Sequence, residues 1–174
     1  MMDSLQLQGF SRREVMALTG LEEYRLTYLQ RTGIVVPETF KPEGYVKSFP
    51  RYSWHQLLEI RAIEDLRSQD VSLQKVRLLM DFLKEHSNDP KLHTNDLVVI
   101  NDRVFWIAEQ GDLEKCLIEC LGKNKGQVTI AEVILINNPS EKIWQTAQQN
   151  SKIIDFATFK SKVAEEQGTM AKSA

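Results

Sequence analysis

The sequence predicts an α+β fold, with helices first and a small antiparallel sheet second. Three observations lead there. Residues 11–86 carry apolar positions at helical spacing behind serine-headed starts. Residues 97–107 read Leu-Val-Val-Ile, Asn-Asp, Arg-Val-Phe-Trp-Ile, two β-rich runs across a two-residue turn. Between them, Ser87-Asn-Asp-Pro90 breaks the chain. A length of 174 residues suits one ordinary domain or two small ones. The expected division is 1–88, 96–166 and a frayed tail at 167–174.

The elements follow in order. Ser11-Arg-Arg-Glu14 is a capping box, in which the hydroxyl serves one free N–H and the carboxylate reaches back to another. Val15, Leu18 and Leu21 follow, and Gly20 ends a helix over about 12–19. A second helix, about 22–32, turns Leu26 and Leu29 inward and stops at Gly33. Two short helices about three residues apart read as helix-turn-helix. Ile34-Val-Val-Pro37 is expected to be a strand, Lys41-Pro-Glu-Gly44 a turn, and Tyr45–Lys47 and Arg51–Tyr52 extended. Together these make a β-hairpin wing with a long basic tip, and thus a winged helix-turn-helix. Ser53-Trp-His-Gln56 is a second capping box, opening a helix over about 54–68, and Ser72 caps another over about 73–86.

In the second half, the hairpin at 97–107 precedes a helix expected over 112–121 behind Asp112. Residues 127–136 are the most β-rich in the chain, and helices are expected around 141–150 and 155–166. This half reads as a small C-terminal αβ domain with an antiparallel sheet.

Composition excludes several classes. Hydrophobic residues are 42% and charged residues 26%, a globular balance. No apolar run approaches the ~18 residues of a membrane span, and the start has neither a basic nor a long apolar stretch, so a cytoplasmic protein is expected. Two cysteines cannot form a disulfide scaffold or, alone, a four-cysteine zinc site. No phosphate-cradling glycine loop, HExxH or GxSxG occurs, so neither enzyme chemistry nor a cofactor is expected. The net charge is −2, yet eight of the nine arginines precede residue 86. Arginine suits bidentate contacts to phosphate and base edges.

Read as FSRREVMALTGLEEYRLTYLQRTGIVVP and then EGYVKSFPRYSWHQLLEIRAIEDLRSQDVSLQKVRLLM, residues 10–83 resemble the DNA-binding domain of MerR-type transcription regulators. The matching positions include Gly20, Leu26, Tyr28, Gly33, Pro37, Gly44-Tyr45, Arg51, Tyr52-Ser53, Leu57, Ile60 and Ser72-Leu73. The departures are Arg25-Leu-Thr-Tyr-Leu-Gln30 where the family has Thr-Leu-Arg-Tyr-Tyr-Glu, a longer wing, and no long coiled-coil helix after His86. The compact layout resembles MerR-type repressors beside mobile elements, including CRISPR-associated transposons.

The resemblance implies a bacterial, cytosolic regulator that binds double-stranded DNA as a homodimer, with the second helix in the major groove. Tyr24, Arg25, Thr27, Tyr28 and Arg31 belong to that helix. Arg25 is the candidate reader of guanine, or else a phosphate contact; Tyr28 takes the family's backbone-contacting position. Ser11, Arg12 and Arg13 sit at a helix N-terminus, where a phosphate is favoured, and Ser11 also reads as a plain cap. Lys41, Tyr45, Lys47 and Arg51 lie on the wing, where Lys41, Lys47 and Arg51 are expected to straddle the adjacent backbone or minor groove, or else to belong to a solvated loop. Dimerisation is assigned to Val99, Val104, Phe105, Trp106, Val133 and Leu135, an apolar sheet face that could equally be a core covering itself. Repression is the expected outcome, because activation in this family relies on the coiled-coil dimer. A second reading is an antitoxin-like module whose 96–166 region takes a protein partner. Cys116 and Cys120, one turn apart on the expected helix, read as core or as a redox or metal sensor, and no metal ligand set is assigned.

Overall fold

The computed structural model describes residues 9–110, 113–129, 139–149 and 154–171. The fold is α+β. It divides into two compact units, one made of 1–60 with 140–174, the other of 61–139. The sequence places a boundary at 87–95 and groups 140–166 with the sheet. The chain instead returns its last helices to the N-terminal unit, because aromatic residues there complete that unit's core.

In the first unit, β1 (Phe10–Ser11) leads into α1 (Arg12–Thr19) and α2 (Glu23–Arg31). The expected capping box closes α1, and Gly20 ends it in the left-handed region at φ 74°. The wing is β2 (Glu38–Phe40) and β3 (Phe49–Tyr52). The three strands form an antiparallel sheet in the order β1-β3-β2, with Phe10 opposite Tyr52 and Phe40 opposite Phe49. The expected strand at Ile34–Val36 is a bend instead. The Ile34 and Val35 N–H groups both turn back to the Leu29 carbonyl at the end of α2. Strand pairing therefore waits until after Pro37. Gly9 has φ 76°, and a Cβ there would lie 2.8 Å from the Tyr52 carbonyl oxygen. β1 can meet β3 only because residue 9 has no side chain.

α3 (Trp54–Arg67) opens with the second predicted capping box: Ser53 Oγ accepts from the Gln56 N–H, and Gln56 Oε1 accepts from the Ser53 N–H. α5 (Pro139–Gln149) and α6 (Phe156–Ala171) complete this unit. α6 runs past Gly168, where a frayed tail was expected; one glycine costs a helix only about 1 kcal/mol. Phe159 of α6 is 2% exposed. Its ring lies 4.9 Å from Trp144, 6.0 Å from Trp54 and 6.0 Å from Phe10, edge-on or tilted in each case. Rings so arranged gain about 0.5–1.5 kcal/mol per pair beyond their burial.

The second unit holds α4 (Leu73–His86), capped by Ser72, and a four-stranded antiparallel sheet in the order β4-β5-β6-β7. β4 (Asp96–Ile100) and β5 (Arg103–Gln110) form the predicted hairpin, with Asn101 and Asp102 both at positive φ. That is the backbone a two-residue hairpin turn requires, and Asn and Asp tolerate it. The helix expected over 112–121 is a strand, β6 (Leu113–Glu119). Its spacing is ambiguous, since Cys116, Leu117 and Ile118 form a continuous apolar run. Burial decides: these three are 1%, 5% and 4% exposed, facing opposite sides of an interior strand. Of the β-rich 127–136 segment, Gln127 and β7 (Val128–Thr129) are described, and 130–136 lie outside the described residues. No helix among the described residues is long and apolar enough to cross a membrane.

Replacing Phe159 with Ala should cost about 3–5 kcal/mol, the range for deleting a buried ring. Urea unfolding followed by tryptophan fluorescence measures it, and a loss under ~1 kcal/mol would mean the aromatic cluster does not hold α6.

Candidate nucleic-acid interface

α2 buries Leu26 and Leu29 and exposes the opposite side. Tyr24, Thr27, Tyr28 and Arg31 follow at i, i+3, i+4 and i+7, one continuous stripe. Tyr24 is 65% exposed. Its hydroxyl accepts from Arg25 Nε at 3.0 Å, and the Arg25 guanidinium lies 5.7 Å from its ring. Arg31 sits 6.0 Å from the Tyr28 ring. Each arginine thus lies beside an aromatic ring, Arg31 exposed in the stripe and Arg25 half-buried at its flank. Arg13 is exposed on α1, and Lys41, Tyr45 and Lys47 are exposed on the wing.

Ser11, Arg12 and Thr27, also expected to contact DNA, are bonded into the fold. Arg12 Nη1 donates to Gln30 Oε1 at 3.0 Å, and Nη2 donates to the Glu23 carbonyl at 3.0 Å and to Thr27 Oγ1. Its Nε faces the Glu23 carboxylate at 3.5 Å. Thr27 is engaged as well, donating to the Glu23 carbonyl at 2.9 Å. Ser11 directs its hydroxyl and N–H to Glu14, each 2.8 Å from the carboxylate. Arg12 is therefore the strut between α1 and α2 rather than a free phosphate clamp. Gln30 extends the strut by donating to the Tyr52 hydroxyl on β3. Tyr52 is fully buried; burial pushes its phenol upward, and the Arg12 charge opposes that. Gln30 had no mark in the sequence, since its partners lie 18 and 22 residues away.

Arg51 lines a cleft of about 430 Å³ together with Glu38, His55, Lys162 and Glu166. Its Nε is buried without a hydrogen-bond partner among the described residues. Two contacts from α6 reach this region. Lys162 Nζ lies 2.7 Å from Glu14 Oε1, and Glu166 accepts the Trp54 N–H at the start of α3. Burial alone would raise the Glu14 carboxyl, but the bonds from Lys162 and Ser11 outweigh it and hold the group below its ordinary value. Glu166 goes the other way: burial raises it and nearby Glu38 adds to the rise.

Comparison with protein families bears on the same segment. Residues 10–83 match the model of the MerR HTH family regulatory proteins. That segment, under half of the chain, is similar to MerR-type domains. It spans β1 through most of α4, and domains of this family imply DNA-binding transcription regulation rather than catalysis. No curated protein and no solved structure matches the chain.

Outside the MerR-like segment, the residues assigned to dimerisation have mixed positions. Val104 is 1% and Phe105 8% exposed, Val99 and Trp106 are half-buried, and Val133 and Leu135 lie outside the described residues. Phe105, Ile107 and Leu117 form a small buried cluster with Val98 against it. Val104 and Phe105 are thus core of their own chain. Cys116 and Cys120 are buried free thiols, Cys116 within the strand that replaces the expected helix and Cys120 just after it. Burial pushes the Cys120 thiol up to about 12, far from the thiolate that redox sensing needs.

Two outcomes test these assignments. In the folded protein both cysteines should resist a disulfide reagent such as Ellman's, and both should react after unfolding; rapid reaction of native Cys120 would revive the sensor reading. Because Glu14 is lowered, it adds stability above about pH 4 and loses it as pH falls through the lowered value. Lys162→Met should therefore move the acid-unfolding midpoint, read by circular dichroism, to higher pH, and an unmoved midpoint would show the contact to be idle.

Proposed function

We propose that the chain is a repressor that binds a pseudo-palindromic operator as a homodimer in the bacterial cytoplasm. The observation that carries this reading is the outward stripe of α2, braced by Arg12 and Gln30 against the wing. Such a stripe fits the major groove, where all four base pairs are distinguishable. In this reading Arg25 reads a base edge while Tyr24 and Tyr28 contact phosphates. Arg13, Arg31, Lys41 and Lys47 supply the salt-sensitive attraction to the backbone. Arg12 and Thr27 act as positioning residues.

Two copies are proposed because a single module of this size binds weakly, and linking two half-sites multiplies the affinity. The surface that best supports pairing is β4, an edge strand among the described residues, with Ile100 41% exposed. Val99 belongs to this strand, and Trp106 lies on the neighbouring β5. Repression is favoured because α4 ends at His86 and is followed by a turn and sheet rather than a long pairing helix.

Fluorescence anisotropy against DNA from upstream of the protein's own gene, beside scrambled DNA at two salt concentrations, tests the reading. Tight, sequence-dependent binding that weakens steeply with salt is expected. On the preferred site, Arg25→Ala should cost about 1–3 kcal/mol and relax discrimination at one base pair. An equal loss on every sequence would reassign Arg25 to phosphate.

A further inference from the structure

The cleft that takes Arg51 lies wholly in the first unit, where β2, β3 and the start of α3 meet α6. It measures about 430 Å³, within the roughly 300–1,000 Å³ of small-molecule sites. Its lining sets Arg51, Lys162 and His55 against Glu38, Glu165 and Glu166.

Most polar groups around the cleft are bonded within the fold. Lys162 Nζ is 2.7 Å from Glu14 Oε1 and 5.2 Å from the centroid of the Phe10 ring. Gln56 donates to the Val36 carbonyl and accepts the Ser53 N–H. The Tyr52 hydroxyl is taken by Gln30. His55 and Glu165 have interactions of their own. Two demands remain. Arg51 is half-buried, and its Nε is buried with no hydrogen-bond partner among the described residues. A donor so placed has lost water and gained nothing in return. Glu38 stands directly opposite Arg51 in the β2–β3 register, hence on the same face of the sheet. It also crowds Glu166: burial raises the Glu166 carboxyl above its ordinary value, and the Glu38 charge adds to the rise. The first demand is for an acceptor, the second for a cation.

A simple anion satisfies Arg51 but meets the carboxylates of Glu38 and Glu166. A simple cation answers those carboxylates but leaves the guanidinium unmet. We propose that the cleft binds a small zwitterion, a free α-amino acid, with its carboxylate on Arg51 and its ammonium beside Glu38 and Glu166. The planar fork of arginine matches a carboxylate bidentately. Glu166 holds the Trp54 N–H through Oε2, so Oε1 is the oxygen left for the ammonium. The cleft is near the low end of the size range of ligand sites, which favours a single amino acid over a longer peptide. The bound molecule joins both strands of the wing to α6. Such binding does not require that the chain bind DNA.

The test heats the full chain with each standard L-amino acid in turn at neutral pH and follows unfolding by tryptophan fluorescence. At least one should raise Tm in a saturable way, as a ligand of the native state does. Propionate and propylamine, which carry the two charges singly, should leave Tm in place. Arg51→Gln and Glu38→Gln should each weaken binding, read from the titration, by about tenfold or more, the loss expected for one charge-assisted bond. Circular dichroism checks that both variants fold; Glu38 is exposed, so its variant decides the matter if Arg51→Gln does not fold. No shift with any amino acid overturns the site. So does a shift that propionate or propylamine matches, one that never saturates, or one that either variant keeps in full.

Discussion

A single guanidinium holds the N-terminal unit in working order. Arg12 leaves α1 and reaches the Glu23 carbonyl, Thr27 and Gln30 on α2, and Gln30 passes the connection to Tyr52 on β3. One cation thus joins the first helix, the second helix and the wing. Bonds from a charged donor are stronger and more directional than neutral ones, and the fork geometry of arginine lets one side chain satisfy acceptors a full helical turn apart. The outward stripe of α2 has a fixed aim relative to the wing because this chain of bonds is complete. Without it, two helices of eight and nine residues would rely on packing alone.

The strut also separates charge that builds from charge that reaches outward. Arginines crowd the first half of the chain, and counting them suggests a basic surface. Arg12 is consumed inside, Arg51 turns toward the cleft, and Arg13, Arg25 and Arg31 are left near the outer face. The proposed interface is narrower than the sequence implies and is supported by rings: Tyr24 under Arg25 and Tyr28 under Arg31. A stacked guanidinium is pre-ordered, which lowers the entropy lost when it meets a base or phosphate.

What is legible in the sequence is local. Ser11 with Glu14 and Ser53 with Gln56 close on partners three residues away, so α1 and α3 begin where their capping boxes indicate. The Asn101-Asp102 turn fixes its hairpin for the same reason. The misreadings come from distance. Cys116–Ile118 fit helix or strand equally until β5 and β7 flank them. β1 is two residues long and exists only as a partner to β3. Ser11 and Arg12 look available because nothing nearby in sequence shows what will occupy them. Lys162 and Glu166 give no signal, with partners 148 and 112 residues away.

The distance between Trp54 and Glu166 also bears on how the protein is made. The Trp54 N–H at the start of α3 finds its carboxylate on Glu166, 112 residues later. At a synthesis rate of about 5–20 residues per second, the amide waits roughly 6–22 seconds for its acceptor to be made. Over the same interval Phe10 and Trp54 lack the Phe159 ring that covers them. The DNA-binding half is thus translated first and finished last. The aromatic core of the first unit therefore closes only once α6 has been made.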